Sequence, residues 1–261
     1  MTLAETRLVG IRDSLQVSPT EIEIGPPKIY TADHIKDGFL TVELAGGEHK
    51  LPIKTNEHGI PFTWLNPKET PGMQRACALE TGFRLAKKME RQWAIVLEAP
   101  SKKSTEMASD AVAVATSLTR KKILEVQLGG ETTDHLTDFF DEETVAILSA
   151  EQLENGQISE TRKVTLLDGQ ATRVIHYKPI TGKDKFKFIT EELVAKINER
   201  INFSALTVIE DVVSKGTTTR AMRQLLNDEG ITKTLEIISV AREGEWVPAD
   251  TVDFAIQLPL L

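Results

Sequence analysis

Several things are scarce in this 261-residue chain, and each shortage narrows what it can be. Cys77 is the only cysteine, so no internal disulfide can form, and a reducing, cytoplasmic setting is expected. No apolar run approaches the ~20 residues of a membrane helix, so no membrane partner is expected. The first sixteen residues carry Glu5, Arg7, Arg12 and Asp13, which is not a signal-peptide pattern. Bases are outnumbered: 31 Lys and Arg against 39 Asp and Glu leave a net charge of −8, which argues against nucleic acid as a partner. The five histidines, at 34, 49, 58, 135 and 176, have no spacing suited to zinc, and no Ser/His/Asp arrangement is suggested. Internal repeats and low-complexity segments are missing too. What remains is an ordinary globular composition, 40% hydrophobic and 27% charged, long enough to bury a sizeable core.

The most informative stretch runs from Leu206 to Leu226. Leu206-Thr207-Val208-Ile209 is apolar and β-prone, and it reads as a strand buried in a parallel sheet. It meets two adjacent acids, Glu210 and Asp211, then Val212-Val213 and a small loop, Ser214-Lys215-Gly216-Thr217-Thr218-Thr219. An amphipathic run follows with Thr218, Met222, Leu225 and Leu226 on one helical face, ending at the natural cap Gly230. Such a βα unit puts its loop at the carboxyl edge of the sheet, where α/β folds place ligands. A loop entering a helix N-terminus offers unpaired N–H groups and the positive end of a dipole, which suits a phosphate. Gly216 lets the backbone come close, and Ser214 and the threonines add hydroxyl donors. Carboxylates beside that position serve better as acceptors for vicinal sugar hydroxyls, or through water to Mg²⁺. Together these describe a ribose 5-phosphate site. The plain alternative is a strand–turn–helix with two surface acids.

The same stretch resembles the phosphoribosyl-pyrophosphate (PRPP) motif of type I phosphoribosyltransferases, most nearly the adenine/xanthine branch. Two positions depart from the motif: Thr207 stands where an aliphatic is usual, and Lys215 replaces a small residue in the loop. The resemblance implies an α/β fold, a mainly parallel sheet flanked by helices, with a small hood and a β-hairpin flap. It implies an Mg²⁺-dependent enzyme that moves ribose 5-phosphate from PRPP to a nucleobase, purine favoured, releasing pyrophosphate. Glu210 and Asp211 would be the catalytic pair holding the ribose hydroxyls and the metal. Ser214, Lys215, Gly216, Thr217 and Thr218 would bind the 5-phosphate. Ser101, Lys102 and Lys103 would bind pyrophosphate, although the family usually has glycine and often arginine there. Phe62 and Thr63 would lie near the base, unless Phe62 and Trp64 are simply core aromatics. The partners implied are PRPP, a nucleobase or nucleoside monophosphate, and a second copy in a homodimer. A non-catalytic PRPP- or nucleotide-sensing module on the same fold, or a structural domain that has lost the site, are the other readings.

In chain order, Ala4 to Leu15 reads as an amphipathic helix, broken by Gly25-Pro26-Pro27. Phe39–Leu44 and Lys50–Ile53 flank Gly46-Gly47 as a hairpin. Residues 1–57 are expected to form a peripheral lobe and 58–261 the core. A helix with Ala76, Leu79, Phe83 and Ala86 on one face leads to a first central strand, Gln92–Pro100. Ser101 to Thr105 is a second polar loop with two lysines ahead of a helix from Glu106 to about Leu118, a second anion site or a solvated loop. Lys122–Leu128 is a strand ending at Gly129-Gly130, and 131–160 an acidic insertion. Arg162–Leu167 and Ala171–Tyr177 form a hairpin around Asp168-Gly169, as a lid or as a rigid sheet extension. Thr190 is expected to cap a helix with Leu193, Val194, Ile197 and Ile201 as its buried stripe. Thr234–Val240 and Val252–Leu258 close the sheet.

Overall fold

A computed structural model describes residues 24–56, 59–67, 71–89, 93–98, 102–179, 183–247 and 251–261. The expected helix at Ala4–Leu15, and Ser101 and His58, lie outside them.

The strand read from Leu206 onward is β12, Ser204–Val213, and it occupies the middle of a six-stranded sheet. Its neighbours are β6 (Trp93–Glu98) on one side and β13 (Leu235–Glu243) on the other. Beyond β6 lies β7, Leu124–Gln127; beyond β13 lie β14, Val252–Leu258, and then β1, Lys28–Ile29. All five pairings in this sheet are parallel. Such a sheet must be covered on both faces, and successive residues of β12 serve the two faces in turn. Ile209 joins the core with α1 (Pro71–Met89) and α2 (Lys102–Thr119), whereas Leu206 and Val208 join the core with α5, Thr217–Asp228. Ala76, Leu79, Phe83 and Ala86 of α1 do face that first core. Thr207 is fully buried with its hydroxyl unpartnered, a desolvation cost that the usual aliphatic at this position would not carry.

Helix α5 buries Met222, Leu225 and Leu226 completely, each stabilising by about 1.5–3 kcal/mol. Thr217, Thr219 and Ala221 are buried with them, while Thr218 is only half-buried, so the face is rotated from the one read in the sequence. Gly230 ends the helix as expected. At φ +79° it lets Ile231 donate to the carbonyl of Leu226 while its own N–H reaches Asn227, each at 2.9 Å.

A second sheet covers the outer side of α5. The expected hairpin, β9 (Ile158–Thr165) and β10 (Ala171–Tyr177), is present, but it belongs to four antiparallel strands in the order β8-β11-β10-β9. The other two correct the sequence reading. Gly129 and Gly130 do not end β7; they open β8, Gly129–Thr132. Lys185–Thr190, which the sequence reading passed over, is β11. Ile175, Tyr177 and Ile189 face α5, whereas Val174, Phe186 and Phe188 face outward. The acidic insertion covers that outer side through Leu136, Phe140 and, in α3 (Glu142–Ser149), Leu148. An ion pair between Arg173 and Glu229, with bonds from Gln224 to Ser159 and Thr161 to Asp228, ties the sheet to α5. The hairpin is thus built in as a sheet extension. Thr190 caps α4, Glu191–Asn198, accepting from the Leu193 N–H, and Ile197 is buried.

The third sheet is β2 (Ile35–Lys36), β3 (Phe39–Leu44), β4 (Gly47–Thr55) and β5 (Pro61–Thr63). Its hairpin turns at Ala45 and Gly46, both at positive φ. The division expected at residue 57 is crossed twice: β5 pairs with β4 within this sheet, and β1 pairs with β14 of the central one.

Candidate functional site

The carboxyl ends of β6 and β12 lie side by side, Glu98 opposite Ile209. Both segments read as anion loops therefore start from one edge of the sheet. Helix α2 begins at Lys102 rather than at Glu106, so Lys102 and Lys103 open a helix of 18 residues instead of lying in a longer loop. The site is best described at β12, where Val213 gives way to Ser214, Lys215 and Gly216.

Gly216 is the N-cap of α5, at φ +68° and ψ +21°, with no side chain capping the first turn. The opening N–H groups of that turn are the kind an anion satisfies. Thr219 turns its hydroxyl back to the carbonyl of Gly216 at 2.9 Å and so fixes the turn. A cavity of about 150 Å³ opens here, lined by Pro179, Glu210, Val212, Val213 and residues 214–219. The five residues predicted for phosphate, Ser214, Lys215, Gly216, Thr217 and Thr218, are all brought together in it.

The loop is held from beside by the end of β13 and the turn after it. Ser214 is hydrogen-bonded to the Glu243 carboxylate, whose pKa burial nevertheless raises. The Lys215 ammonium lies 4.5 Å from the ring centroid of Trp246. A Cβ on Gly216 would stand 3.1 Å from Cγ2 of Val247.

The two acids diverge. As successive strand residues they point to opposite faces. Glu210 faces the second sheet, is 7% exposed, and leaves Oε1 without a partner. Burial pushes its pKa up, Lys187 opposes that rise, and Asp211 adds to it. Lys187, on β11, is 1% exposed, and the same burial pushes its pKa down against the pull of Glu210. Tyr177 is also raised, by burial and then by Glu210, and is hydrogen-bonded to Thr218. Asp211 is half-buried, accepts from the Val212 N–H at 2.9 Å, and acts electrostatically on Cys77 of α1. Cys77 is buried, and its thiol is raised chiefly by that burial.

Phe62 and Thr63 belong to β5 and do not line this cavity. Thr63 is buried with its hydroxyl unpartnered; Phe62 meets Trp64 edge-on at 5.8 Å, and Lys54 sits 4.2 Å over the Trp64 ring. Among the described residues no three His, Cys, Asp or Glu side chains converge as a metal cage. Mg²⁺ carried by a phosphate-bearing substrate needs only one or two protein carboxylates, and the unpartnered oxygen of Glu210 in the cavity wall fits that demand.

Sequence reasoning missed Lys187, Tyr177, Glu243 and Trp246. Lys187 had a signal, since Lys185-Phe186-Lys187-Phe188 alternates as a half-buried strand does. Nothing in the sequence tied Glu243 or Trp246 to the loop, because only the parallel pairing of β12 and β13 brings them there.

No protein-family model matches the chain, and no curated protein matches it. Solved structures with similarity to it include adenine phosphoribosyltransferases. The Trypanosoma brucei enzyme, in complex with AMP, pyrophosphate and ribose-5-phosphate, is 13% identical over 85% of this chain and 76% of that one, with a TM-score of 0.39. The Giardia lamblia enzyme, complexed with 9-deazaadenine, is 12% identical over 79% and 93%, with a TM-score of 0.42. A hypoxanthine-guanine-xanthine phosphoribosyltransferase is 12% identical over 74% and 76%, with a TM-score of 0.32. Likenesses of this size carry no argument about what the chain does.

Proposed function

We propose that the chain is a phosphoribosyltransferase that joins the ribose 5-phosphate of PRPP to a ring nitrogen of a nucleobase, a purine in preference, and releases pyrophosphate. The observation that carries this reading is the cavity at residues 210–219. It combines an uncapped helix N-terminus, a left-handed glycine, four hydroxyl-bearing side chains and an unpartnered buried carboxyl oxygen. The 5-phosphate sits on the N–H groups of the first turn of α5 and the hydroxyls of Ser214, Thr217 and Thr218. Glu210 and Asp211 hold the ribose hydroxyls, and they are the residues that would hold an Mg²⁺ ion arriving with PRPP. Bound there, Mg²⁺ would supply neutralisation of charge on the pyrophosphate leaving group. Lys102 and Lys103, which open α2, are the residues proposed to bind the pyrophosphate. The C1–O bond to pyrophosphate breaks and an N–C1 bond forms, with a proton lost from the base. No protein nucleophile is required, because positioning and charge stabilisation supply the rate.

The test is pyrophosphate release from PRPP and Mg²⁺ with a panel of purines. Turnover with at least one base is expected, and Glu210→Gln or Asp211→Asn should lower kcat/KM by about 10²-fold or more. PRPP binding without turnover on any base would instead make the chain a PRPP sensor.

A further inference from the structure

Consecutive residues of the phosphate loop each meet a residue at the end of β13 or in the turn after it. Ser214 bonds to Glu243, Gly216 packs beneath Val247, and between them the Lys215 ammonium rests on Trp246. Among the described residues Lys215 is the one cation that lines the cavity, yet its ammonium rests on an indole that is 46% exposed. Its stem of four methylenes can carry the ammonium either to the ring or to an anion in the cavity. The two destinations differ in strength. An exposed cation–π contact shifts an equilibrium by a factor of a few, whereas a charge-assisted N–H···O bond to phosphate is the stronger interaction.

We infer that Trp246 is the resting place of the Lys215 ammonium, and that a phosphate monoester entering the cavity draws the ammonium off the ring and onto itself. The inference rests on the phosphate site proposed above. Trp246 is on this account a positioning residue. It holds the cation at the mouth of the cavity, away from the buried carboxyl of Glu210, and it competes mildly with the ligand. The two halves of the contact therefore act in opposite directions on affinity, which a merely structural contact would not do.

The experiment is calorimetric and fluorimetric titration of the full chain with ribose 5-phosphate, on wild type, Lys215→Met, Trp246→Leu, Trp246→Phe and the Lys215→Met/Trp246→Leu pair. Lys215→Met is expected to weaken binding about tenfold, as loss of one charge-assisted bond would. Trp246→Leu is expected to tighten it about two- to fivefold, and Trp246→Phe, which keeps a ring face, should stay within about twofold of wild type. The paired variant should bind like Lys215→Met alone, because without the ammonium the ring has nothing to hold. Ligand should change tryptophan emission in wild type and in neither Lys215→Met nor Trp246→Phe, which leaves Trp64 and Trp93 as background. Weaker or unchanged binding by a folded Trp246→Leu overturns the inference and leaves the phosphate site standing. Should that variant not fold, an emission change that persists in Trp246→Phe overturns it just as well. If wild type does not bind ribose 5-phosphate, the phosphate-site reading falls, and the resting place of Lys215 falls with it.

Discussion

Gly216 takes φ +68°, where a side chain costs about 1–2 kcal/mol, and a Cβ there would also press on Val247 at 3.1 Å. Gly216→Ala should therefore lower stability by about that amount in urea titration, and it should weaken phosphate binding by tilting the first N–H groups of α5. Glu210 makes a different prediction. Burial pushes its carboxyl up from the ordinary 4.5 to about 7. Between those two values the folded chain holds a proton that the unfolded chain has lost, so stability falls as pH rises through that window. The slope is at most about 1.4 kcal/mol per pH unit. Glu210→Gln should flatten it, as read from urea midpoints at pH 4.5, 6 and 7.5. A slope unchanged in the variant would place the titration elsewhere.

At the scale of elements, the second sheet is bonded to α5 and closed on its outer side by the acidic insertion. Gly129 shows how tightly. A Cβ there would meet the Phe188 ring at 2.0 Å, so Gly129→Ala should cost about 1–3 kcal/mol, and Phe188→Leu in the same chain should recover part of it. Thermal melts of the two variants and their combination measure this. Strands and caps with local signals were legible in the sequence: β12 from its β-branched run, the hairpin from Asp168-Gly169, the end of α5 from Gly230, the start of α4 from Thr190. β8 and β11 were not. The glycines of β8 look like a terminator, because the ring that fills the missing side chain of Gly129 lies 59 residues further on, at Phe188. In the insertion the apolar patches Leu136–Phe140 and Val145–Leu148 were legible but their place was not, since only the folded sheet reveals that Leu136, Phe140 and Leu148 share one core with Phe186 and Phe188.

On the scale of the whole molecule, a parallel sheet delivers two loops to one edge, and the site lies where β12 ends. The phosphate half of that site was legible because helix N-terminus, glycine and hydroxyls are consecutive in the chain. The acid pair was legible as residues but not as geometry, since strand alternation sends Glu210 and Asp211 to opposite faces and gives Glu210 a buried lysine as neighbour. Lys187 and Trp246 escaped because each reaches the site through pairing of strands distant in sequence. The central claim is that residues 210–219 hold PRPP. Calorimetric titration with PRPP and Mg²⁺, on wild type and on Glu210→Gln and Asp211→Asn, tests it most directly. Saturable binding to wild type that both variants weaken is the predicted result. No binding at millimolar PRPP, or binding that neither variant changes, would contradict it.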